Sequence, residues 1–331
     1  MKLVSFLKNN EIQLGAIFQD NLYAIRDVNA HLPNDIISFI KLGATQINEI
    51  EQQLLNSIQN IGSISPIQAY TLLAPVPHPT SCRDGYAFRQ HVEAARRNRG
   101  VEMIKEFDQY PIFYFTNHNA VQGPGAVYCM PDHFQQLDFE LEIAIVIGKE
   151  GRNIKAKDAD EYIAGFTIMN DLSARKLQME EMLLNLGPAK GKDFSTVIGP
   201  WLVTPNELQQ NLVPAKQGHV GNNYDLTMKC WVNDKLVSSG NVKDMDWTFA
   251  EIIERCSYGV TIHPGDVIGS GTVGTGCFLE LNGTGKLNDP NYVAQWLQPN
   301  DEVRMQIDGL GTLINTIHAE STDWSILSLK K

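Results

Sequence analysis

Two glutamates lie two residues apart in a run that alternates like a β-strand. From Phe139 to Ile147 the odd-numbered positions are apolar, and Glu140 and Glu142 take two of the even positions. Successive side chains of a strand point to opposite faces, so the two carboxylates share one face. Like charges held this close resist joint ionisation unless a cation lies between them, which predicts a site for a hard divalent metal ion. The alternative is a solvent-exposed edge strand with a polar face, which the run by itself favours.

Three further segments place an acid or a base near a turn. Asp84 precedes His91 by about two helical turns. Asp171 follows a short apolar run at a predicted strand-to-helix junction, and Lys192 stands in a loop with Gly191. The alternative for Asp84 and Asp171 is that each caps the N-terminus of a helix. The alternative for His91 is a packed core residue beside the apolar stripe of its helix.

Together these segments resemble the fumarylacetoacetate hydrolase family, and they occur in the order typical of it. Two more stretches add to the resemblance, namely 264–272, followed by Leu279-Glu280-Leu281, and 307–317 near the end. The resemblance extends from about Pro75 to the C-terminus.

The resemblance implies a role for each residue of the site. Asp84, Glu140, Glu142 and Asp171 are expected to hold Mg²⁺ or Ca²⁺, with Mn²⁺ as a further candidate. His91 is expected to be the general base and Glu280 the glutamate that orients it. The residues expected to stabilise negative charge on the substrate are Lys192, Arg175 and Gln178, and those expected to bind the substrate are Tyr86, Tyr114 and Thr272.

The function implied by the resemblance is metal-dependent hydrolysis of a carbon–carbon bond in a β-diketo acid, such as an acylpyruvate or fumarylacetoacetate. The substrate would be a small dicarboxylic or oxo acid, and the pathway aromatic amino acid catabolism. Decarboxylation, hydration and isomerisation of related oxo acids are alternatives, because all of them pass through an enolate. A non-catalytic metal-binding module is a further alternative, which would not require the histidine, the lysine and Glu280.

Two glycine-rich runs could suggest nucleotide binding, but neither fits. The run 187–192 has three residues between its glycines where a phosphate-binding loop has four, and Asp193 stands where Ser or Thr should follow the lysine. The run Gly269–Gly274 matches the dinucleotide fingerprint formally. We expect another strand after it, so the βαβ context is missing.

Composition restricts the partners and the compartment. The chain has 331 residues and a formal net charge of −11, which argues against a nucleic-acid or anionic-membrane surface. The basic cluster 96–99 is assigned to a helix end or to a substrate carboxylate. The five cysteines are scattered without a Cys-x-x-Cys pair, which fits a reducing compartment. Without an apolar run of membrane-spanning length, the protein is expected to be cytoplasmic.

Two domains are predicted. Residues 1–72 form a small α/β N-terminal domain with strands over 3–6, 13–18 and 22–25 and a helix over 36–58. A proline-rich hinge over 74–79 precedes the catalytic domain, residues 73–331. Short strands between glycine and proline turns predict a mixed sheet system there, with strands that include 141–147, 201–204 and 278–281.

The predicted class is α+β, and the resemblance implies a mixed β-roll or β-sandwich with flanking helices. We also expect a homodimer through the catalytic domain, with the apolar segments 201–203 and 260–262 buried between subunits.

Overall fold

A computed structural model describes residues 1–57 and 65–331. The strands are β1 Lys2–Lys8, β2 Glu11–Phe18, β3 Asn21–Ala24, β4 Ser65–Pro66, β5 Thr71–Leu72, β6 Cys82–Gly85, β7 Phe113–Thr116, β8 Val121–Gln122, β9 Gly125–Cys129, β10 Leu137–Asp138, β11 Leu141–Ile147, β12 Gly151–Arg152, β13 Ile163–Asp171, β14 Ser173–Ala174, β15 Thr196–Val203, β16 Leu212–Val213, β17 Asn223–Tyr224, β18 Thr227–Val232, β19 Lys235–Asn241, β20 Thr261–Ile262, β21 Val267–Gly269, β22 Glu302–Ile307 and β23 Gly311–Ala319. The helices are α1 Ile25–Val28, α2 Ile36–Ile40, α3 Ala44–Ser57, α4 Arg89–Arg97, α5 Ala156–Ala159, α6 Arg175–Met182, α7 Phe249–Ser257 and α8 Phe278–Asn288.

A large mixed sheet runs through the molecule. Its strand order is β4-β3-β2-β1-β15-β13-β11-β21-β6-β7, with β5 added beside β1 and β8 beside β15. Most neighbours are antiparallel, but β21 and β6 run parallel, as do β15 and β8. The fold class is therefore α+β with mixed sheets, whereas the β-roll or β-sandwich description stays a prediction.

The alternation of β11 places its two faces in two different cores. Leu141, Ile143, Ile145 and Ile147 pack into a core with residues of α7 and of a second sheet, whose order is β19-β18-β22-β23-β9. Ala144 and Val146, on the opposite face, pack beneath α2 and α3. All seven residues of β11 are buried, so the strand is central and the edge-strand alternative for Glu140 and Glu142 is wrong.

The N-terminal strands continue the same sheet. β1 pairs antiparallel with β15, with Leu3 opposite Leu202. Beneath α2 and α3, Leu3 and Phe39 pack in one core with Met169 and Ile198 of the central strands. The division into domains at residues 72 and 73 stays a prediction, and hydrogen bonds between strands cross it.

Several local predictions need correction. The helix expected over 36–58 is two helices, because Gly43 adopts φ 83° between α2 and α3. Position 58 lies outside the described residues. The strand expected over 278–281 is the start of α8. The four residues fit both the two-residue period of a strand and the 3.6-residue period of a helix. The contacts that favour the helix come from Asp138, whose carboxylate accepts the backbone N–H groups of Phe278 and Leu279 at 2.7 and 2.9 Å.

The strand expected after the glycine-rich run Gly269–Gly274 is absent there, because the helix α8 follows that run. The next strand is β22, which belongs to the second sheet and pairs there antiparallel with β18 and β23, so no parallel βαβ unit results.

Parts of the two segments expected between subunits are buried within the chain itself, but Val260 is 47% exposed. Leu202, Val203 and Ile262 are each 0% exposed, because β15 lies between β1 and β13 and β20 packs near α7. Among the described residues no helix is both long and apolar enough to cross a membrane.

Candidate metal centre and active site

Four carboxylates lie together on one side of the large sheet, where four adjacent central strands begin or end. Asp84 lies on β6, Glu140 and Glu142 at the start of β11, and Asp171 at the end of β13. The strand order β13-β11-β21-β6 brings these ends together, with Asp84 paired to Gly269 of β21. One oxygen from each of the four side chains lies within 4.8 Å of the others, and all four side chains are buried. Asp84 and Asp171 are strand residues, so the N-cap alternative for both is wrong; α4 and α6 begin at Arg89 and Arg175.

The backbone around this cluster is shaped to bring the acids close. A Cβ at Gly269 would lie 2.6 Å from Asp84 Oδ1 and 2.9 Å from Glu142 Oε2, so no larger residue fits there. The backbone N–H of Gly271 donates to both of those carboxylates, at 3.0 and 3.1 Å. Asp171 Oδ1 is buried and has no hydrogen-bond partner among residues 1–57 and 65–331. A buried carboxylate oxygen without a partner requires a cation or a proton.

Burial and mutual repulsion disfavour the ionised forms of three of the four acids. Burial raises the pKa of Asp84 to about 7, and Asp171 adds to the shift. Burial likewise raises the pKa of Glu142 well above its usual range, with the charge of Asp84 as the next cause. The pKa of Asp171 is also raised by burial, against the opposing effect of Lys192. A divalent cation among these oxygens would remove the repulsion and favour the ionised forms.

Two buried cations already compensate part of the charge. Lys192 Nζ donates to Glu140 and, at 2.8 Å, to Asp171. Arg175 donates to Glu140 Oε1 at 2.7 Å and to Asp138 Oδ2 at 2.8 Å. Burial alone would raise the pKa of Glu140, but Lys192 and then Arg175 outweigh it and lower that pKa to about 2. The side chain of Gln178 accepts from Arg175 at 3.0 Å.

Asp138 is a structural partner that sequence reasoning did not assign. It is fully buried, pairs with Arg175 and accepts the first N–H groups of α8. It therefore ties the arginine of α6 to the helix that carries Glu280. The same two-residue spacing that singled out Glu140 and Glu142 includes Asp138, and that signal could have identified it.

His91 and Glu280 form a buried pair. His91 Nδ1 lies 2.7 Å from Glu280 Oε2, and the other oxygen of Glu280 accepts the backbone N–H of Thr275 at 3.0 Å. The ring of Tyr86 packs edge-on against His91, with the ring centres 5.9 Å apart. The pair leaves Nε2 of the imidazole free for another partner, which is the arrangement that a positioned base needs.

A cavity of about 740 Å³ opens onto this cluster. It is lined by every predicted site residue except Glu142, Asp171 and Glu280. Of the predicted substrate-binding residues, Tyr114 donates its hydroxyl to Asp171, and Thr272 Oγ1 lies 3.4 Å from Glu142 Oε1. Arg96 and Arg99 of the basic cluster also line the cavity, which is compatible with contact to a substrate carboxylate.

The donor set fits a hard divalent ion. Four carboxylate oxygens lie within 4.8 Å of one another, Asp171 Oδ1 has no hydrogen-bond partner in the described part of the chain, and the surplus charge is negative. Asp84, Glu140, Glu142 and Asp171 are the residues that would hold such an ion.

Comparison with known proteins identifies the family of the chain. A model of the fumarylacetoacetate (FAA) hydrolase C-terminal family matches residues 80–318. The chain is 32% identical over 302 residues to the mitochondrial oxaloacetate tautomerase FAHD2B of Bos taurus, covering 88% of this chain and 83% of that protein. It is 27% identical over 323 residues to a fumarylacetoacetate hydrolase domain-containing protein 2 homolog of Dictyostelium discoideum, covering 96% and 97% of the two chains.

Among solved structures, the fold is similar to that of maleylpyruvate hydrolase from Sphingobium sp. SYK-6 in complex with manganese (II) ion and pyruvate. The TM-score is 0.69 at 20% identity, over 97% of this chain and 100% of that chain. Because the family match covers most of the chain and a relative at 32% identity aligns over most of both sequences, the chain belongs to the fumarylacetoacetate hydrolase family.

Proposed function

We propose that the protein is a metal-dependent enzyme that moves a proton at the carbon next to the 2-oxo group of a small oxo dicarboxylic acid, with keto–enol tautomerisation of oxaloacetate as the reaction. The observation that carries the proposal is the buried His91–Glu280 pair beside four convergent carboxylates. The relative at 32% identity is named an oxaloacetate tautomerase.

In this reaction His91 Nε2 takes a proton from the carbon between the oxo group and the distal carboxylate. Glu280 accepts the Nδ1 proton in a hydrogen bond, orients the ring and stabilises the imidazolium that forms. The imidazolium then returns the proton to the 2-oxo oxygen, which gives the enol. The reverse sequence of transfers converts enol to keto acid.

The remaining residues supply charge balance and position. Asp84, Glu140, Glu142 and Asp171 would hold the divalent ion, which when bound acts as a Lewis acid on the oxygens of the oxo acid. Lys192 and Arg175 place positive charge beside Glu140, and Asp138 fixes Arg175 in place. Tyr86, Tyr114, Thr272 and Gln178 are proposed to shape the cavity around the substrate.

Hydrolysis of a carbon–carbon bond in a β-diketo acid is the second candidate. It is favoured by the same pair, because an imidazole oriented by Glu280 also suits deprotonation of a water molecule. The ion is proposed to be Mg²⁺, with Ca²⁺ and Mn²⁺ as alternatives that the oxygen ligands also suit. A cytoplasmic location is proposed from the five buried free cysteines, whereas the named tautomerase relative is mitochondrial.

One experiment separates the two reactions. Purified protein is assayed with enol oxaloacetate and with acetylpyruvate, and both enol absorbance and product acids are followed. Tautomerisation predicts fast loss of oxaloacetate enol without cleavage products, and loss of this activity when a chelator is present. Release of acetate and pyruvate from acetylpyruvate at a higher kcat/KM would establish hydrolysis instead. Activity with oxaloacetate that a chelator leaves intact would refute the metal-dependent mechanism.

A further inference from the structure

Cys277 lies next to the proposed base and takes no part in the proton transfer described above. A nitrogen of His91, an oxygen of Glu140 and the Cys277 sulfur lie within 4.8 Å of one another, and all three residues are buried. This set differs from the four carboxylates because it contains a sulfur and a nitrogen. Such ligands select borderline or soft transition ions over Mg²⁺ or Ca²⁺.

His91 is held as zinc-bound histidines are. Its Nδ1 is engaged by the Glu280 carboxylate at 2.7 Å, which leaves Nε2 as the ligand atom. A carboxylate on the far nitrogen fixes the tautomer and raises the basicity of the metal-binding nitrogen, and this arrangement accompanies most histidine ligands.

The sulfur of Cys277 lies at the N-terminus of a helix. Cys277 is the N-cap residue of α8, and its sulfur accepts the backbone N–H of Glu280 at 3.4 Å. The N-terminus of a helix carries partial positive charge that favours the thiolate. Burial outweighs this effect and raises the pKa of the Cys277 thiol well above its usual range, so formation of the metal–sulfur bond releases a proton.

Glu140 completes the set. Its two oxygens accept from Arg175 and Lys192, and each oxygen has a further lone pair. Zinc–ligand bonds of about 2.0–2.3 Å require donors about 3.5 Å apart, so the three side chains need to move together by no more than about 1 Å. His91 and Glu140 both line the cavity, which provides a path for the ion.

We propose that His91, Glu140 and Cys277 form a second metal site for a thiophilic divalent transition ion such as Zn²⁺, and that its occupancy blocks turnover. An ion at this site takes up Nε2 of the base and withdraws Glu140 from the carboxylate cage. The blocking effect rests on the proposed function, whereas binding of the ion through sulfur does not.

Direct binding is tested with Co²⁺ and Zn²⁺ on the full-length protein. Titration with Co²⁺ should produce thiolate-to-metal charge-transfer absorption in the near ultraviolet. Zinc-edge X-ray absorption of the wild-type protein with one equivalent of Zn²⁺ should show one sulfur at about 2.3 Å. The wild-type measurement needs no variant to fold. A zinc shell of oxygen and nitrogen alone would overturn the proposal.

Variants assign the sulfur and separate the site from general metal binding. Cys277→Ser, which keeps an N-cap residue for α8, should lose the Co²⁺ charge-transfer absorption. Cys256→Ser removes another buried cysteine, one outside the cluster, and should retain the absorption. Glu280→Gln should weaken Co²⁺ affinity about 10–100-fold. Charge-transfer absorption that persists in Cys277→Ser would exclude the site.

Turnover provides the third test. Zn²⁺ should inhibit the wild-type and Cys256→Ser enzymes equally, and Cys277→Ser should need at least about tenfold more Zn²⁺ for the same fractional inhibition. Equal sensitivity of Cys277→Ser and the wild type would refute the blocking effect even if sulfur binds the ion. If Co²⁺ binds through sulfur but no substrate is turned over, the proposed function fails and the metal site stands.

Discussion

The protonation states of the buried acids at this site depend on their neighbours. Glu140 is kept ionised by Lys192 and Arg175, whereas burial pushes Asp84 and Glu142 towards their protonated forms. A cluster in which neighbouring acids are pushed in opposite directions is typical of functional sites. The difference in pKa follows from position, because Lys192 and Arg175 both donate hydrogen bonds to Glu140, whereas neither donates one to Asp84 or Glu142.

Removing one negative charge from the cage should abolish metal binding. We expect Glu142→Gln and Glu140→Gln each to lose calorimetric binding of Mg²⁺ or Mn²⁺, because the remaining oxygens no longer balance the charge of the ion. Glu161→Gln, an exposed substitution elsewhere on the surface, is the control and should bind like the wild type. Stoichiometric binding retained in either cage variant would rule out this set of ligands.

The residue types of the site could be read from the sequence, and their environment could not. The spacing of Glu140 and Glu142 indicated a shared face, and the structure confirms it. Cys277 was not assigned, because His91 and Glu140 lie more than 100 residues away from it along the chain and no local pattern signals such contacts. Asp138 was also missed, although it continues the two-residue spacing of Glu140 and Glu142.

At the scale of elements, one buried carboxylate connects two helices and a strand. Asp138 of β10 pairs with Arg175 at the start of α6 and accepts the first two N–H groups of α8. The short run Phe278–Leu281 fits a strand and a helix equally well, and this distant cap favours the helix. The error over 36–58 has a local cause, because Gly43 adopts φ 83° and separates α2 from α3 within an otherwise continuous helical pattern.

Weakening this connection should destabilise the site without removing a proposed metal ligand. Asp138→Asn leaves Arg175 without one of its two carboxylate partners, and a broken buried pair costs about 3–5 kcal/mol. We expect that loss in urea denaturation, together with faster hydrogen exchange of the Phe278 and Leu279 amides. Asp132→Asn changes another buried aspartate, one outside the cage, and serves as the comparison. Unchanged exchange at those two amides would show that Asp138 does not hold α8.

At the scale of the molecule, the N-terminal region packs against the strands that carry the site but does not line its cavity. The core under α2 and α3 joins Leu3 and Phe39 to Met169 and Ile198 of the strands that end at the cage. No residue from 1 to 57 lines the active-site cavity. The two-domain reading identified the first three strands of this region. The sequence did not reveal that β1 would extend the catalytic sheet, since strand pairing across about 200 residues has no local signal.

This arrangement predicts that the N-terminal region matters for stability and not for chemistry. Leu3→Ala should lower the free energy of unfolding by about 2–5 kcal/mol, because Leu3 is fully buried. Its kcat should stay close to the wild-type value at a temperature where the variant is folded. Leu329→Ala, at a position that is 63% exposed, is the control and should change stability by less than about 0.5 kcal/mol. A large fall in kcat for folded Leu3→Ala would assign this region a role in the reaction.

We also predict a homodimer in solution. Leu202, Val203 and Ile262 are buried within the chain, so we expect the interface to use exposed apolar side chains. Val260, Leu184, Leu186 and Tyr258 are 47%, 81%, 94% and 83% exposed. Light scattering at micromolar concentration should give about twice the chain mass of 37.0 kDa. A mass of one chain would show that the protein is a monomer.

The central claim is that His91, oriented by Glu280, transfers the proton while the carboxylates hold the ion. The most direct test compares kcat for the oxaloacetate enol between the wild type and His91→Ala, with Mg²⁺ affinity measured on the same samples. The account predicts a fall of about two to four orders of magnitude with metal affinity retained. A His91→Ala enzyme that binds Mg²⁺ normally and turns over the enol at the wild-type rate would contradict it.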